Sequence, residues 1–391
     1  MDDLQKLVIE DIDIGERLPW DVLDSYGRLM LSEGSVIRDL PHAKEMLNRG
    51  MYIEKSLYTK LPSFTRSKAT TTTNEEVPVI SNDKVSVLHS INLAVKRLDV
   101  LLKNIRKFPD AHKSILDIVK LITTAISLSE DLALASIQLN QSSGSYCVRH
   151  CVDTAILSII VAKAMNKTPQ EIQDIAAAAL TMNISMIELQ EKLHGQKEKL
   201  SDKDKASIHN HPIDSIDILF NAGIENSDWL MNIMLHHEHE DGSGYPVGNV
   251  KGEIPSSAKI LSLADGFCAR VTSRGYRKST LPSVALKDIF IQNSAHADPT
   301  MAAYFVKVLS LYPPGTFVQL SNKEIAVVTQ RGSTPSNCTV FSLVKPNGEL
   351  FPTPLKRDTS IDTYKIIEAV YPFDAAVQVN LQQIWGPLAS V

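Results

Sequence analysis

The sequence predicts a mainly α protein, a helical bundle carrying small β-rich modules at both ends of the chain. Three observations predict it. From Asp83 to about residue 310, apolar residues recur at the three-four spacing of helices with one buried face. Before residue 60 and after Pro313-Pro314-Gly315 the pattern changes to short runs bounded by turn residues, the mark of strands. Between these regimes, residues 61–82 hold Ser67, Thr70 to Thr73, Asn74, Glu75, Glu76 and Pro78 with few large apolar side chains, a linker composition.

In order, Leu7-Val8-Ile9 and Arg28 to Leu31 read as strands, with turns at Asp24 to Gly27 and Glu33-Gly34. His42 to Asn48 reads as a short helix stopped by Gly50. Leu88, Ile91, Val95, Leu98, Leu102 and Ile105 line one face of a helix that Pro109 ends. Ile115, Ile118, Val119 and Ile122 mark a second helix, and Asp131 to Asn140 a third. His150 to Met165 is apolar with small residues, as a buried helix requires. Ile172 to Met186 contains the Ala176 to Ala179 run, which favours helix strongly. Ser201 is placed to cap a helix over Asp202 to Ala222, and Ala258 to Ser273 forms another. Phe317 to Leu320, Ile325 to Val328 and Thr339 to Leu343 read as strands, and Asn347-Gly348 is a hairpin turn. The expected organisation is a β-rich module over 1–60, a linker over 61–82, a helical connector over 83–140, a helical domain over 141–311 and a β-rich extension over 312–391.

Composition narrows the function classes. A net charge of −5 with 22% charged residues does not call for nucleic acid or an anionic membrane. No run approaches the roughly 18–20 apolar residues needed to span a bilayer. The Met-Asp-Asp start lacks a signal pattern. Cys147, Cys151, Cys268 and Cys338 show no CxxC spacing, so a reducing compartment is expected. The expectation is a soluble cytoplasmic protein.

The most informative stretch is His236-His237-Glu238-His239-Glu240-Asp241-Gly242-Ser243-Gly244-Tyr245-Pro246. Neutral imidazole binds divalent transition metals, and Gly and Pro fix an irregular loop beside it. With this signature, residues 141–311 resemble the HD-GYP family, whose HD-type helical domains bind two or three metal ions and hydrolyse cyclic di-GMP. Metals there activate water and polarise a phosphoryl oxygen. The resemblance implies metal ligands at His150 (in Tyr146-Cys147-Val148-Arg149-His150), His211 (in His211-Pro212), His236, His237 and Asp265. It implies signature-loop roles for Glu238, Asp241, Gly242, Gly244, Tyr245 and Pro246, with His239 an extra loop residue. It also implies a phosphate- or guanine-binding role for Arg274, Tyr276 and Arg277, since Arg offers a planar fork and Tyr a stacking face.

The chain departs from the family where it counts most. The family's Leu-His-Asp-x-Gly-Lys reads Leu180-Thr181-Met182-Asn183-Ile184-Ser185-Met186 here. A thioether is a soft, neutral substitute for imidazole, and an amide lacks the charge of the bridging carboxylate. Met186 replaces the Lys beside the reacting phosphate. Tyr146 stands where some members place a third-metal Glu, and Cys268 replaces a second Asp. Cys147 and Cys268 are weighed as soft ligands against buried apolar residues. The expected metal is iron, manganese or another divalent ion, at partial occupancy or none. Three functions follow as alternatives: a catalytically impaired cyclic di-GMP-binding or regulatory module, an active phosphodiesterase with a rearranged site, or a ligand-free protein-interaction scaffold. A diguanylate cyclase domain is the partner considered for the Gly-Tyr-Pro loop, with a homodimer also open.

Overall fold

Apolar runs spaced for helix and strand become two compact units, residues 1–80 and 81–391, in a computed structural model. It describes residues 4–7, 18, 20–23, 27–37, 47, 51–54, 86–140, 144–195, 200–248, 254–272, 279–291, 299–371 and 380–391. The first unit carries an antiparallel sheet of β1 (Leu4–Lys6), β2 (Val22–Leu23), β3 (Leu29–Leu31) and β4 (Tyr52–Glu54) in the order β1-β4-β2-β3. Its core is Leu7, Leu18, Val22, Ile37, Met51 and Ile53. The first strand spans Leu4–Lys6, Leu7 extends its pairing through an N–H on Met51 O and buries its side chain in the core, and 8–10 of the expected Leu7-Val8-Ile9 strand lie outside the described residues. The short helix expected over 42–48 lies outside them except Leu47, which is helical, and so does the expected linker.

The second unit is built from α1 (Val87–Asn104), α2 (Ala111–Leu128), α3 (Glu130–Leu139), α4 (Tyr146–Ala164), α5 (Pro169–Thr181), α6 (Ile187–Gly195), α7 (Asp202–Phe220), α8 (Ser227–Leu235), α9 (Ser256–Val271), α10 (Pro282–Ile291) and α11 (Pro299–Leu309). Caps set several starts. Ser86, Asp110 and Ser129 accept from backbone amides of α1, α2 and α3, while Thr168 with Glu171 and Ser201 with Asp204 form capping boxes. The helix expected over 172–186 breaks after Thr181 into a 3₁₀ turn, Ile184–Met186. That break brings residues 182–186 against α7. Ser215 Oγ donates to the Met182 carbonyl at 2.8 Å, and Ser185 Oγ to the His211 carbonyl at 3.1 Å.

Helix α4 is central, buried without interruption from Cys147 to Ala162, and packs on α1, α2, α3, α5, α6, α9 and α11. Its core cluster includes Leu88, Ile91, Ile115, Ile122, Ile156, Ala176 and Phe267. One ion pair sits inside it. Arg149 Nε lies 3.2 Å from Asp153 Oδ1, with side chains 2% and 1% exposed. The Arg149 guanidinium also reaches the Ser136 carbonyl of α3 at 3.3 Å, and Asn92 of α1 lies 2.9 Å from Asn140. These contacts fix α4 in rotation, and with it the direction in which His150 points.

A second antiparallel sheet follows: β5 (Phe317–Leu320), β6 (Ile325–Arg331), β7 (Cys338–Val344), β8 (Leu350–Asp358) and β9 (Ile366–Ala369), ordered β8-β7-β6-β5-β9. Gly348, at φ +87°, makes the β7–β8 turn. Arg331 at the end of β6 pairs with Glu130 and Asp131 in the first turn of α3, and Gly315 packs against the Ala135 backbone. The terminal helix α12 (Leu381–Trp385) returns to the bundle through Leu381, Trp385, Leu388 and Ala389. No helix among the described residues is long and apolar enough to cross a membrane.

Replacing Arg149 by Ala strands a carboxylate in the bundle core. The expected cost is about 3–5 kcal/mol, read as a lower urea midpoint of Trp fluorescence. An unchanged midpoint would show that the pair is not a structural joint.

Candidate metal centre

Two histidines are aimed by backbone carbonyls that the helices leave free. Pro212 lies inside α7 and has no N–H to give the carbonyl four residues earlier, that of Ile208. His211 takes that acceptor, its Nδ1–H donating to Ile208 O at 2.6 Å. Helix α8 ends at Leu235, so its last carbonyls lack helical donors. His236 Nδ1–H donates to Ile233 O, also at 2.6 Å. A carbonyl can only accept, so each Nδ1 carries the proton and each Nε2 is bare in the neutral ring. The two Nε2 atoms face each other at 3.3 Å. Two lone pairs at that distance make no hydrogen bond.

Burial keeps the rings neutral. It pushes His211 down to about 3, with His236 adding to the effect. It also lowers His236, against the opposing field of Asp265, and lowers His237 well below the ordinary value, helped by His236. The nitrogens of His211, His236 and His237 lie within 4.8 Å of one another, a group able to hold a metal ion. Neutral imidazoles with converging lone pairs suit zinc, iron, cobalt or manganese, and three such ligands leave positions open.

The other two expected ligands meet each other. His150 Nε2–H, from α4, donates to Asp265 Oδ1, from α9, at 2.7 Å. Burial alone would raise the Asp265 carboxyl, but the His150 hydrogen bond and the nearby imidazoles hold it well below the usual carboxylate range. His150 Nδ1 is buried with no hydrogen-bond partner among the described residues. Asp265 acts electrostatically on His211, His236, His237 and Tyr245, which places the pair beside the triad. The Tyr146 and His150 rings are nearly parallel, with centroids 5.8 Å apart.

Met182, Asn183 and Met186 are buried, and Met182 belongs to the main core cluster. They bring no ionisable group to this region. Cys268 is buried, and burial followed by the field of Asp153 pushes its thiol far up, so it is a neutral thiol and a poor ligand. Cys147 and Cys151 are free, buried cysteines one turn apart on α4, and Cys147 together with burial pushes the Cys151 thiol up.

The loop after α8 is organised by Glu238, whose carboxylate accepts from Val247 N at 2.6 Å and Gly248 N at 3.0 Å. Asp241 accepts from Ser243 N and Oγ, and Glu240 pairs with Lys259 of α9. Gly242 sits at φ +76°. Gly244 has no room for a side chain: a Cβ there would lie 2.5 Å from His237 O and 2.4 Å from His239 N. Pro246 follows Tyr245, whose ring stacks on His237 with centroids 4.7 Å apart. His209 stacks on Tyr245 at 4.5 Å. His209, Arg149 and the Ser185–Ser215 contact are features that spacing did not reveal, since each depends on which helix faces which. Arg274, Tyr276 and Arg277 lie outside the described residues.

Residues 128–301 match the HD domain family. The chain is 27% identical over 222 residues to "Cyclic di-GMP phosphodiesterase PA4108" of Pseudomonas aeruginosa, covering 56% of this chain and 52% of that one. It is 23% identical over 208 residues to "Cyclic di-GMP phosphodiesterase PdeB" of Borreliella burgdorferi, covering 53% and 55%. The chain thus spans about half the length of these curated relatives. A solved structure of Bd1817, described as a HDG"Y"P protein from Bdellovibrio bacteriovorus, overlaps 78% of this chain and 99% of its own at 16% identity and a TM-score of 0.46.

Folding holds His211, His236 and His237 neutral, whereas the unfolded chain protonates them near pH 6.5. The unfolded state therefore binds more protons as pH falls through 6.5 toward 3, and Asp265 adds the same sign below about 4. The metal-free protein should lose on the order of a few kcal/mol of stability between pH 7 and pH 4, measured by urea unfolding. Replacing His211 by Gln should flatten part of that slope. Stability that holds constant or rises on acidification would contradict the burial of neutral rings.

Proposed function

We propose, from the premise that residues 128–301 form an HD-GYP-like HD domain, that this chain is a cyclic di-GMP signalling protein which binds more than it hydrolyses. One observation carries the reading: His211, His236 and His237 come together, while Met182, Asn183 and Met186, buried on the segment that braces α7, bring no ionisable group. The triad keeps ligands for one divalent ion. A second ion would need the imidazole and bridging carboxylate that Met182 and Asn183 do not supply, and a reacting phosphate would lack the ammonium that Met186 replaces.

A divalent ion held by the triad would supply Lewis-acid polarisation of a phosphoryl oxygen. The protein's own part is to fix the three rings through Ile208 O, Ile233 O and the Tyr245 stack, and to keep them unprotonated by burial. The Asp265 carboxylate adds negative charge beside the cation, and His150 holds it in place. Without a bridging carboxylate or a lysine at 186, charge developing on the phosphate in the transition state finds less compensation. Each lost ~1.4 kcal/mol is a factor of ten, so turnover falls by several orders of magnitude while ground-state binding is less affected. Arg274, Tyr276 and Arg277 are proposed to contact phosphate or guanine. The well-braced Gly242–Pro246 loop supports a role in docking a protein such as a diguanylate cyclase domain.

Calorimetry with cyclic di-GMP, paired with a hydrolysis assay in added Mn²⁺ or Fe²⁺, separates the alternatives. The expected result is micromolar binding with little or no linearisation. Introducing Met182→His, Asn183→Asp and Met186→Lys together should raise turnover. Hydrolysis by the unaltered chain that disappears in His237→Ala would establish an active phosphodiesterase instead. Absence of binding would leave a ligand-free scaffold.

A further inference from the structure

Among the described residues, the Tyr245 ring lies against two of the three triad histidines, and one histidine outside the triad stacks on its other side. Tyr245 stacks on His237 with centroids 4.7 Å apart and planes 28° apart, and meets His211 edge-on at 6.3 Å. His209 stacks on Tyr245 at 4.5 Å and 11°. His209 and His237 make no ring contact with each other among the described residues, so the three rings form a ladder with Tyr245 in the middle. The inner rung is part of the triad, and the outer rung is exposed.

The main chain and side chain of Tyr245 are held very differently. Its backbone N–H donates to His237 O at 3.1 Å, Gly244 before it is clamped against the backbone of 237–239, and Glu238 ties the two residues after Pro246. The side chain has no such anchor: its hydroxyl makes no hydrogen bond among the described residues. Only stacking and burial keep the ring over the triad. His209 sits two positions before His211 on α7, so the helix that delivers a triad member also delivers the clamp.

We infer that His209 is a positioning residue that keeps Tyr245 closed over the His211–His236–His237 group and so controls how fast a divalent cation enters and leaves it. The inference rests on the proposed metal-binding reading. It requires no proton transfer and no contact between His209 and the ion. Because the clamp acts on a cover, it should slow entry and exit together and leave the equilibrium affinity nearly unchanged. A defect in the ligands would instead speed exit alone.

The test uses the 391-residue chain with zinc as the probe. Zinc release to excess chromogenic chelator and zinc uptake by the metal-free protein are followed by stopped flow. The protein as it stands, His209→Ala and His209→Phe are compared, with Kd from competition. An aromatic pair of this kind corresponds to about a two- to tenfold change in population. His209→Ala should accelerate uptake and release alike by that factor, and His209→Phe should restore the slow rates. Unchanged rates in His209→Ala, or faster release matched by weaker Kd, would overturn the clamp while leaving the metal site standing. Failure of the unsubstituted chain to bind zinc would overturn both.

Discussion

Two bare imidazole nitrogens face each other at 3.3 Å in the interior of this protein, and much of the helical unit is arranged to keep them there. Each ring has given its one proton to a carbonyl, so neither can donate to the other. The contact costs free energy in the folded chain unless a cation sits between the lone pairs. The carbonyls themselves are freed by two ordinary defects of helices, a proline inside α7 and the end of α8. The His-Pro pair thus has a mechanical meaning: the proline leaves Ile208 O without a helical donor, and the histidine before it takes that acceptor and is oriented by it.

The surrounding structure transmits this requirement outward. Residues 182–186 leave the helical path of α5 and brace α7 through Ser215 and Ser185, so α7 presents His211 at a fixed height. The Arg149 guanidinium ties α4 to the Ser136 carbonyl of α3 and to Asn92 of α1, one residue before His150, which meets Asp265. The same 182–186 segment carries the three residues that distinguish this chain from the family pattern. The segment still braces α7 while Met182, Asn183 and Met186 are buried without an ionisable group, which fits a protein proposed to bind rather than cut.

Much of this was legible in the sequence, and the legible parts share a cause. The helices over Val87–Asn104, Ala111–Leu128 and Tyr146–Ala164 follow from local apolar spacing and caps, and the strands from Phe317 to Val344 from β-branched runs. His211, His236 and His237 were identified through ordered motifs, and the structure brings them together. His150 and Asp265 lie beside them, hydrogen-bonded to each other. What was not legible depends on tertiary facing. Strands β8 and β9 alternate weakly because both lie at sheet edges and are largely exposed. The short helices α8, α10 and α11 hold too few turns to display a period. His209 looks like any surface residue of α7 until the loop after α8 folds back upon it.

The proposed reading is that this site holds one divalent ion rather than two. Elemental mass spectrometry on protein purified without chelators tests it most directly. The account predicts about one equivalent of a transition metal per chain, lost when His211, His236 or His237 is replaced. Two equivalents would mean that the missing imidazole and carboxylate have been substituted from elsewhere, and would contradict the account.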